Sequence, residues 1–302
     1  MIKIAVIGEC MVELYQDEKG SYKQTFGGDT FNCAVYLKRS LKNAKVEYIT
    51  VLGEDARSSQ MLDFFHKENL ETTYVDRLKD KKPGLYIIDT HKGERSFDYW
   101  RGQAAAKELF LTQSLDKLSK DLLTFDLIYF SAITLAIMSE KGRENLFKII
   151  KKARAAGVKI AFDSNYRPRL YNNQDDARRI YKQVVNYTDI FLPSIDDEID
   201  LWGRSTPSDI IKKSLEAGIK EIIITCGKED IVCHYEGITV HKKTKQLKNI
   251  VDSTSAGDSF NGQYLASRLK EKSVNKSIKK AKKLAAKVIM HKGAIMPKDK
   301  ND

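Results

Sequence analysis

Short apolar runs rich in Ile, Val and Phe alternate along the chain with longer stretches in which apolar positions recur every three or four residues. The first kind reads as buried strands and the second as amphipathic helices. Strands are predicted at Ile2 to Ile7, Val46 to Leu52, Leu127 to Phe130, Val158 to Phe162, Ile190 to Leu192 and Glu221 to Thr225. Helical periodicity covers Thr30 to Leu41, Arg57 to Glu68, Glu140 to Ala156, Asp175 to Asn186 and Ser208 to Ala217, with two more helices after Ala256. Each helix between successive strands is long enough for the crossover that parallel neighbours require. The pattern therefore predicts an α/β fold with a mainly parallel central sheet covered by helices. It breaks between Pro83 and Arg101, where PGLYIIDTHKGERSFDYWR reads as strands Leu85 to Thr90 and Arg95 to Trp100 around a turn at Lys92 and Gly93. With no internal repeat or low-complexity linker, the simplest organisation is one domain spanning residues 1–302 with a small β appendage.

Composition changes this picture little. A chain of 302 residues buries roughly three quarters of its unfolded surface and needs no disulfide or metal staple. Cys10, Cys33, Cys226 and Cys233 are scattered, without metal-ligand spacing, and read as core residues in a reducing compartment. The start, MIKIAVIGECMVEL, lacks a basic region and a cleavage site, and no apolar run approaches the roughly 18 residues of a membrane span. A cytoplasmic protein without a membrane partner is expected. The net charge of +11 raises the question of nucleic acid. The densest lysine run, Lys276 to Lys287, has Ile278, Ala281, Leu284, Ala285 and Val288 as a buried stripe, so its lysines form a solvated helix face. No aromatic platform accompanies it, and no nucleic-acid partner is predicted.

The strongest chemical signal is DSTSAGD, Asp252 to Asp258, where a β-like stretch ends in small residues and a helix begins near Ala256. Small residues at a helix start leave backbone N–H groups facing outward, which makes an anion site. Asp258 would sit in the first turn, within reach of a hydroxyl to be phosphorylated. That position predicts a carboxyl pKa lowered by the helix terminus. Ser255 and Asp258 also fit a plain N-cap with an acidic first turn. No G-x-x-x-x-G-K-[ST] occurs, so this is not a Walker P-loop.

DSTSAGDSFNG resembles the C-terminal motif of the ribokinase-like (PfkB) sugar kinases, usually D-T-x-G-A-G-D-x-F. GGDTFNCAVYLKR, from Gly27 to Arg39, resembles the N-terminal motif of that family. IAVIGECMVEL, PGLYIIDT, SFDYWR, FDSNYRPRLY (Phe162 to Tyr171) and LPSIDDEIDLWG (Leu192 to Gly203) resemble the branch that phosphorylates 2-keto-3-deoxygluconate. The likeness implies a three-layer sandwich with a β lid built from about residues 10–30 and 83–103, and an ATP-dependent kinase with Mg2+ as cofactor. It implies Asp258 as base and the N–H groups of Ser255, Ala256 and Gly257 as an anion hole. Gly27, Gly28, Asp29 and Asn32 would hold sugar hydroxyls, Tyr86 and Tyr99 would line the pocket, and Arg101 and Arg167 would clamp a sugar-acid carboxylate; Arg169 stays open.

On the nucleotide side the likeness implies Asn165, Ser194, Thr225, Gly227 and Lys228, with adenine near Ala285 and Ile289. Ser194 stands where relatives carry the asparagine of N-x-x-E, so the carboxylate that orients the metal's water shell is Asp197 or Glu198. Ser255 replaces a usual glycine or alanine. The lid would exclude water and pair with a second subunit, giving a homo-oligomer. Two alternatives stay open: a kinase for another sugar such as fructose or ribose, which needs no carboxylate clamp, and a non-catalytic sugar sensor.

Overall fold

The computed structural model describes residues 1–17, 19–91, 94–112, 114–227, 230–244 and 250–298. Its strands are β1 (Lys3–Ile7), β2 (Met11–Gln16), β3 (Tyr22–Gly27), β4 (Lys45–Gly53), β5 (Val75–Leu78), β6 (Leu85–His91), β7 (Glu94–Trp100), β8 (Leu127–Ser131), β9 (Lys159–Asp163), β10 (Ile190–Leu192), β11 (Glu221–Thr225), β12 (Ile231–Tyr235) and β13 (Ile238–Lys242). The helices are α1 (Asp29–Ser40), α2 (Ala56–Lys67), α3 (Leu115–Leu122), α4 (Ala132–Ile137), α5 (Glu140–Ala155), α6 (Gln174–Val185), α7 (Ile195–Trp202), α8 (Pro207–Glu216), α9 (Ala256–Leu269) and α10 (Val274–Val288).

Nine strands form the main sheet in the order β13-β12-β11-β10-β9-β8-β1-β4-β5. Seven run parallel, from β11 through to β5, and β12 and β13 add an antiparallel edge. The strands are apolar on both faces because both are covered. Ala5 and Ile7 of β1 pack into a core shared with α3, α5, α6 and α8, while Ile4 and Val6 pack into a second core with α1, α2, α9 and α10. This is the predicted three-layer α/β arrangement. All six main-sheet strands read from the sequence are present within a residue or two.

The apolar pattern predicts none of β2, β3, β5, β12 and β13, although the resemblance implies β structure over residues 10–30, where β2 and β3 lie. β5 is only four half-buried residues, VDRL, and β13 has three exposed positions out of five, so neither carries a strong apolar signal. β2 and β3 join the predicted hairpin in a second sheet of order β3-β2-β6-β7. β2 pairs antiparallel with β3 and parallel with β6. The turn expected at Lys92 and Gly93 lies outside the described residues. No helix among the described residues is long and apolar enough to cross a membrane.

Two features of the fold bring the chemically active residues together. The loops after β1, β8, β9, β10 and β11 all emerge at the carboxyl edge of the sheet, where open α/β folds place ligands. Helices α1 and α9 lie against each other at a close crossing made possible by Gly262. A Cβ there would fall 2.6 Å from the Cys33 carbonyl oxygen and 2.9 Å from the Leu37 nitrogen, both backbone atoms that cannot step aside. Gly262→Ala should therefore separate the two helices and lower stability by about 1–3 kcal/mol. Urea unfolding checks this; an unchanged midpoint would mean the crossing yields without cost.

Candidate active site

Asp258 lies in the first turn of α9, and its Oδ2 accepts a hydrogen bond from Asn32 Nδ2 of α1 at 2.8 Å. The helix crossing at Gly262 is what brings these two side chains together. Asn32 is buried at 3% exposure, so the pair is fixed from below. Upstream, Asp252 pins the approach to the helix, accepting from Thr254 N at 2.9 Å and from Gly293 N at 2.7 Å. Ser255 then turns the chain through the left-handed region, φ 64°, into α9. A glycine takes that conformation at no steric cost, a serine with strain. Beyond Gly257 nothing stands within 4 Å of where a Cβ would be, so the helix start faces open space.

The electrostatics correct one expectation. The Asp258 carboxyl is pushed up, to about 7, rather than lowered. Packing around the carboxylate is the largest cause and the Asp29 carboxylate the next; the Asn32 hydrogen bond and the Arg167 charge offset them only in part. A helix terminus is a half charge seen mostly through solvent, whereas desolvation and a facing carboxylate act at full strength. Asp163, at the end of β9, is buried in the same cluster and is held by Tyr129 Oη at 3.0 Å and Asn261 Nδ2 at 3.1 Å. Its carboxyl is likewise raised well above the usual range by burial and by Asp29 and Asp258.

Asp29, at the start of α1, accepts from Asn165 Nδ2 at 2.9 Å and from Ser131 Oγ. Asn165, assigned to the nucleotide by resemblance, thus touches the sugar-side aspartate, and the two motifs meet there. The glycines before it are explained by packing. A Cβ on Gly27 would lie 2.6 Å from Tyr86 Oη, and one on Gly28 would lie 2.3 Å from the Glu9 carbonyl oxygen.

In the second sheet, Tyr86 and Tyr99 stack with centroids 5.6 Å apart at 25°. Tyr86 is buried and donates its hydroxyl to Glu13. Three arginines approach. Arg101 pairs with buried Glu9, and its guanidinium carbon lies 6.0 Å from the Tyr99 ring. Arg169, left open by the sequence, lies over the same ring at 4.1 Å. Arg167 faces Asp197 instead, Nη1 to Oδ1 at 3.3 Å, and donates to its neighbour's carbonyl, Tyr166 O, at 2.7 Å. The ring therefore joins Arg101 to Arg169, while Arg167 lies between Asp197 and the charge of Asp258.

Across the cleft, Ser194 caps α7 by accepting from Asp197 N at 3.0 Å. Ser164 Oγ donates to Asp197 Oδ2 at 2.7 Å and accepts from Ser194 N at 3.0 Å. Glu198 is turned into the core, 4% exposed, where the Tyr181 hydroxyl meets it and burial pushes its carboxyl up to about 7. Thr225 N bonds Pro193 O at 2.9 Å, which sets the loops after β10 and β11 side by side, with Gly227 at φ 56°. Lys228 lies outside the described residues. Sequence reasoning did not single out Ser131, Asp163 or Glu9 as site residues. Ser131 and Asp163 end apolar strands at the sheet's carboxyl edge and Glu9 stands two residues beyond one, and that position is the signal that could have found them.

A helix start that faces open space, with a carboxyl in its first turn and the polar side chains of Asp29 and Asn32 beside it, suits phosphoryl transfer to a hydroxyl. The profile of the pfkB family carbohydrate kinases matches residues 1–301. The chain belongs to that family. The 2-dehydro-3-deoxygluconokinase of Escherichia coli (strain K12) is 41% identical over 98% of each chain. The crystal structure of the 2-dehydro-3-deoxygluconokinase of Thermotoga maritima shares the fold with a TM-score of 0.86, covering 98% of this chain and 96% of that one at 20% identity. A putative Ribokinase II from E. coli, in complex with ATP and Mg+2, does so with a TM-score of 0.82 over 97% and 94% at 21% identity.

The raised Asp258 carboxyl gives a test of the electrostatics. A carboxyl whose folded pKa lies above its unfolded one favours the folded state at low pH and costs stability as pH rises toward the folded value. Asp258→Asn should thus be more stable than the parent, with the difference opening between about pH 4 and pH 7 and constant above. Denaturant midpoints across that range measure it; a difference independent of pH would show that the carboxyl is not raised.

Proposed function

We propose that the protein phosphorylates 2-keto-3-deoxygluconate (2-dehydro-3-deoxygluconate) on its terminal hydroxyl with ATP, giving the 6-phosphate. The observation that carries this is Asp258 in the opening turn of α9, held by Asn32 at 2.8 Å with open space above the helix start. Base and anion site then share one turn. The sugar-acid relative at 41% identity over nearly the whole chain supports the choice of substrate.

In this reading Asp29 and Asn32 hold sugar hydroxyls and set the reacting one against Asp258. The hydroxyl oxygen bonds to the γ-phosphorus as the bond to the bridging oxygen of ADP breaks, and the hydroxyl proton passes to Asp258. A base titrating near 7 accepts that proton better than an ordinary carboxylate and is still substantially ionised at neutral pH. Charge growing on the transferred group is met by backbone N–H groups of Ser255 and Gly257, preorganised by the pinned loop, and by that of Ala256 once it gives up its 3.3 Å bond to the Ser253 carbonyl. Asn165, Ser194, Thr225 and Gly227 line the phosphate path. Tyr86 and Tyr99 wall the sugar pocket, and Arg101 and Arg167 take the substrate carboxylate, with Arg169 beside them on Tyr99.

Magnesium fits this donor set as a cation shared with the nucleotide. Among the described residues no cluster of three or more metal-ligating side chains exists, so phosphate oxygens and water must supply most of the shell. Asp197, held by Ser164 and facing Arg167, is the carboxylate placed to order that water; Glu198 is committed to Tyr181. When bound, the ion neutralises phosphate charge. The second sheet acts as a lid that excludes water. Tyr22 and Trp100 on its outer strands, 53% and 58% exposed, are apolar surface suited to a second copy of the chain.

A panel of sugars and sugar acids with ATP and Mg2+, followed by ADP release, tests the substrate. The ketodeoxy acid should be turned over far faster than fructose or ribose; the reverse order would establish the neutral-sugar alternative. Arg167→Ala should raise KM for the acid about tenfold or more. An unchanged KM would remove Arg167 from the clamp. Trp100→Glu should lower the oligomeric state in sedimentation; an unchanged state would exclude lid pairing.

A further inference from the structure

Glu9 occupies the segment between β1 and β2 where the chain leaves the main sheet for the lid, and it is 3% exposed. Each of the other three crossings between lid and body touches it. Where β3 returns toward α1, a Cβ on Gly28 would fall 2.3 Å from the Glu9 carbonyl oxygen. Where the chain re-enters the lid before β6, a Cβ on Gly84 would fall 2.7 Å from Glu9 Oε1 and 3.3 Å from Arg101 Cβ. Where it leaves after β7, Arg101 Nη2 bonds Glu9 Oε2, with the two side chains only 12% and 2% exposed. Gly28 thus makes room for the backbone carbonyl of Glu9 and Gly84 for its carboxylate, and that carboxylate holds one arginine.

An ion pair buried this deeply is weak evidence for stability, since desolvation offsets most of the attraction. Here burial pushes the Glu9 carboxyl up, and Arg101 pulls it back only partly. Glu9 Oε1 is buried with no hydrogen-bond partner among the described residues. A lid held for stability alone would be better served by apolar packing at this point. What the pair does achieve is direction. A guanidinium is a planar fork of five N–H donors, and fixing one nitrogen leaves the rest set in angle and distance.

We propose that Glu9 is the positioning residue for Arg101: its carboxylate fixes the guanidinium at the meeting point of the four lid crossings, so that the free N–H groups meet the substrate carboxylate only with the lid in place. This deepens the proposed function and rests on it, because it requires an acid as substrate. Selectivity for acids then depends on a residue that touches no substrate. Discrimination between acid and neutral sugar is therefore set at the lid's base as well as in the pocket.

Steady-state kinetics of Glu9→Gln with ketodeoxygluconate and with its C1 amide test this. KM for the acid should rise about tenfold or more with kcat within about threefold, while KM for the amide moves by less than about twofold. Equal effects on acid and amide, or an unchanged KM for the acid, would overturn the proposal. Arg101→Gln and the double variant Glu9→Gln/Arg101→Gln supply a comparison that holds even where the single Glu9 variant does not fold. With Arg101 gone, losing Glu9 should add nothing to KM for the acid, and a further rise would mean that Glu9 acts independently of Arg101. The parent enzyme separates the two readings: if it does not phosphorylate the acid, the proposed function fails; if it does and the variants behave otherwise than stated, only the role of Glu9 fails.

Discussion

The close crossing of α1 and α9 at Gly262 is the contact on which the site depends. Without a side chain at that position the two helix backbones meet, and their first turns open onto the same cleft. Asn32 and Asp258, 226 positions apart in the chain, then come within hydrogen-bond distance. Asp29 on the same turn of α1 comes near enough for its charge to be felt at Asp258. The position of the Asp258 carboxyl and the Asp29 charge it feels therefore have one origin, a missing Cβ.

The carboxylates gathered at the sheet edge explain how a family built for anionic ligands tolerates so many acids. Burial raises the carboxyls of Asp163 and Asp258, and the charge of Asp29 pushes both further in the same direction, as that of Asp258 does for Asp163. The general positive charge of the chain, +11, lies elsewhere, much of it on the lysine face of α10. Long-range attraction for nucleotide and sugar acid and local proton chemistry are thereby separated in space.

The main sheet was legible because parallel strands covered on both faces are almost wholly apolar, as IIIT and LIYF show, and strand and helix lengths differ sharply. The first two strands of the second sheet were less so, since MVELYQ and YKQTFG mix polar and apolar residues on a sheet only partly buried. Within the site, local motifs pointed to Asp258, Asn32 and Asp29. The sign of the Asp258 shift was misread because it comes from Asp29 and from burial, neither of which is a neighbour in sequence. The pairing of Glu9 with Arg101 and the placement of Arg169 on Tyr99 are likewise products of topology, and no spacing rule announces them.

The order of the chain carries a consequence in time. α1 and the central strand β1 are made first, whereas α9, with Asp258 in its first turn, lies in the last sixth of the sequence. The face of α1 that α9 meets includes Cys33, Tyr36 and Leu37 and stays without its partner until synthesis is nearly complete. A nascent chain therefore holds Asp29 and Asn32 long before Asp258 can reach them. Closing the core and bringing Asp258 to Asn32 are one event, so a product stalled before α9 lacks the pair by construction.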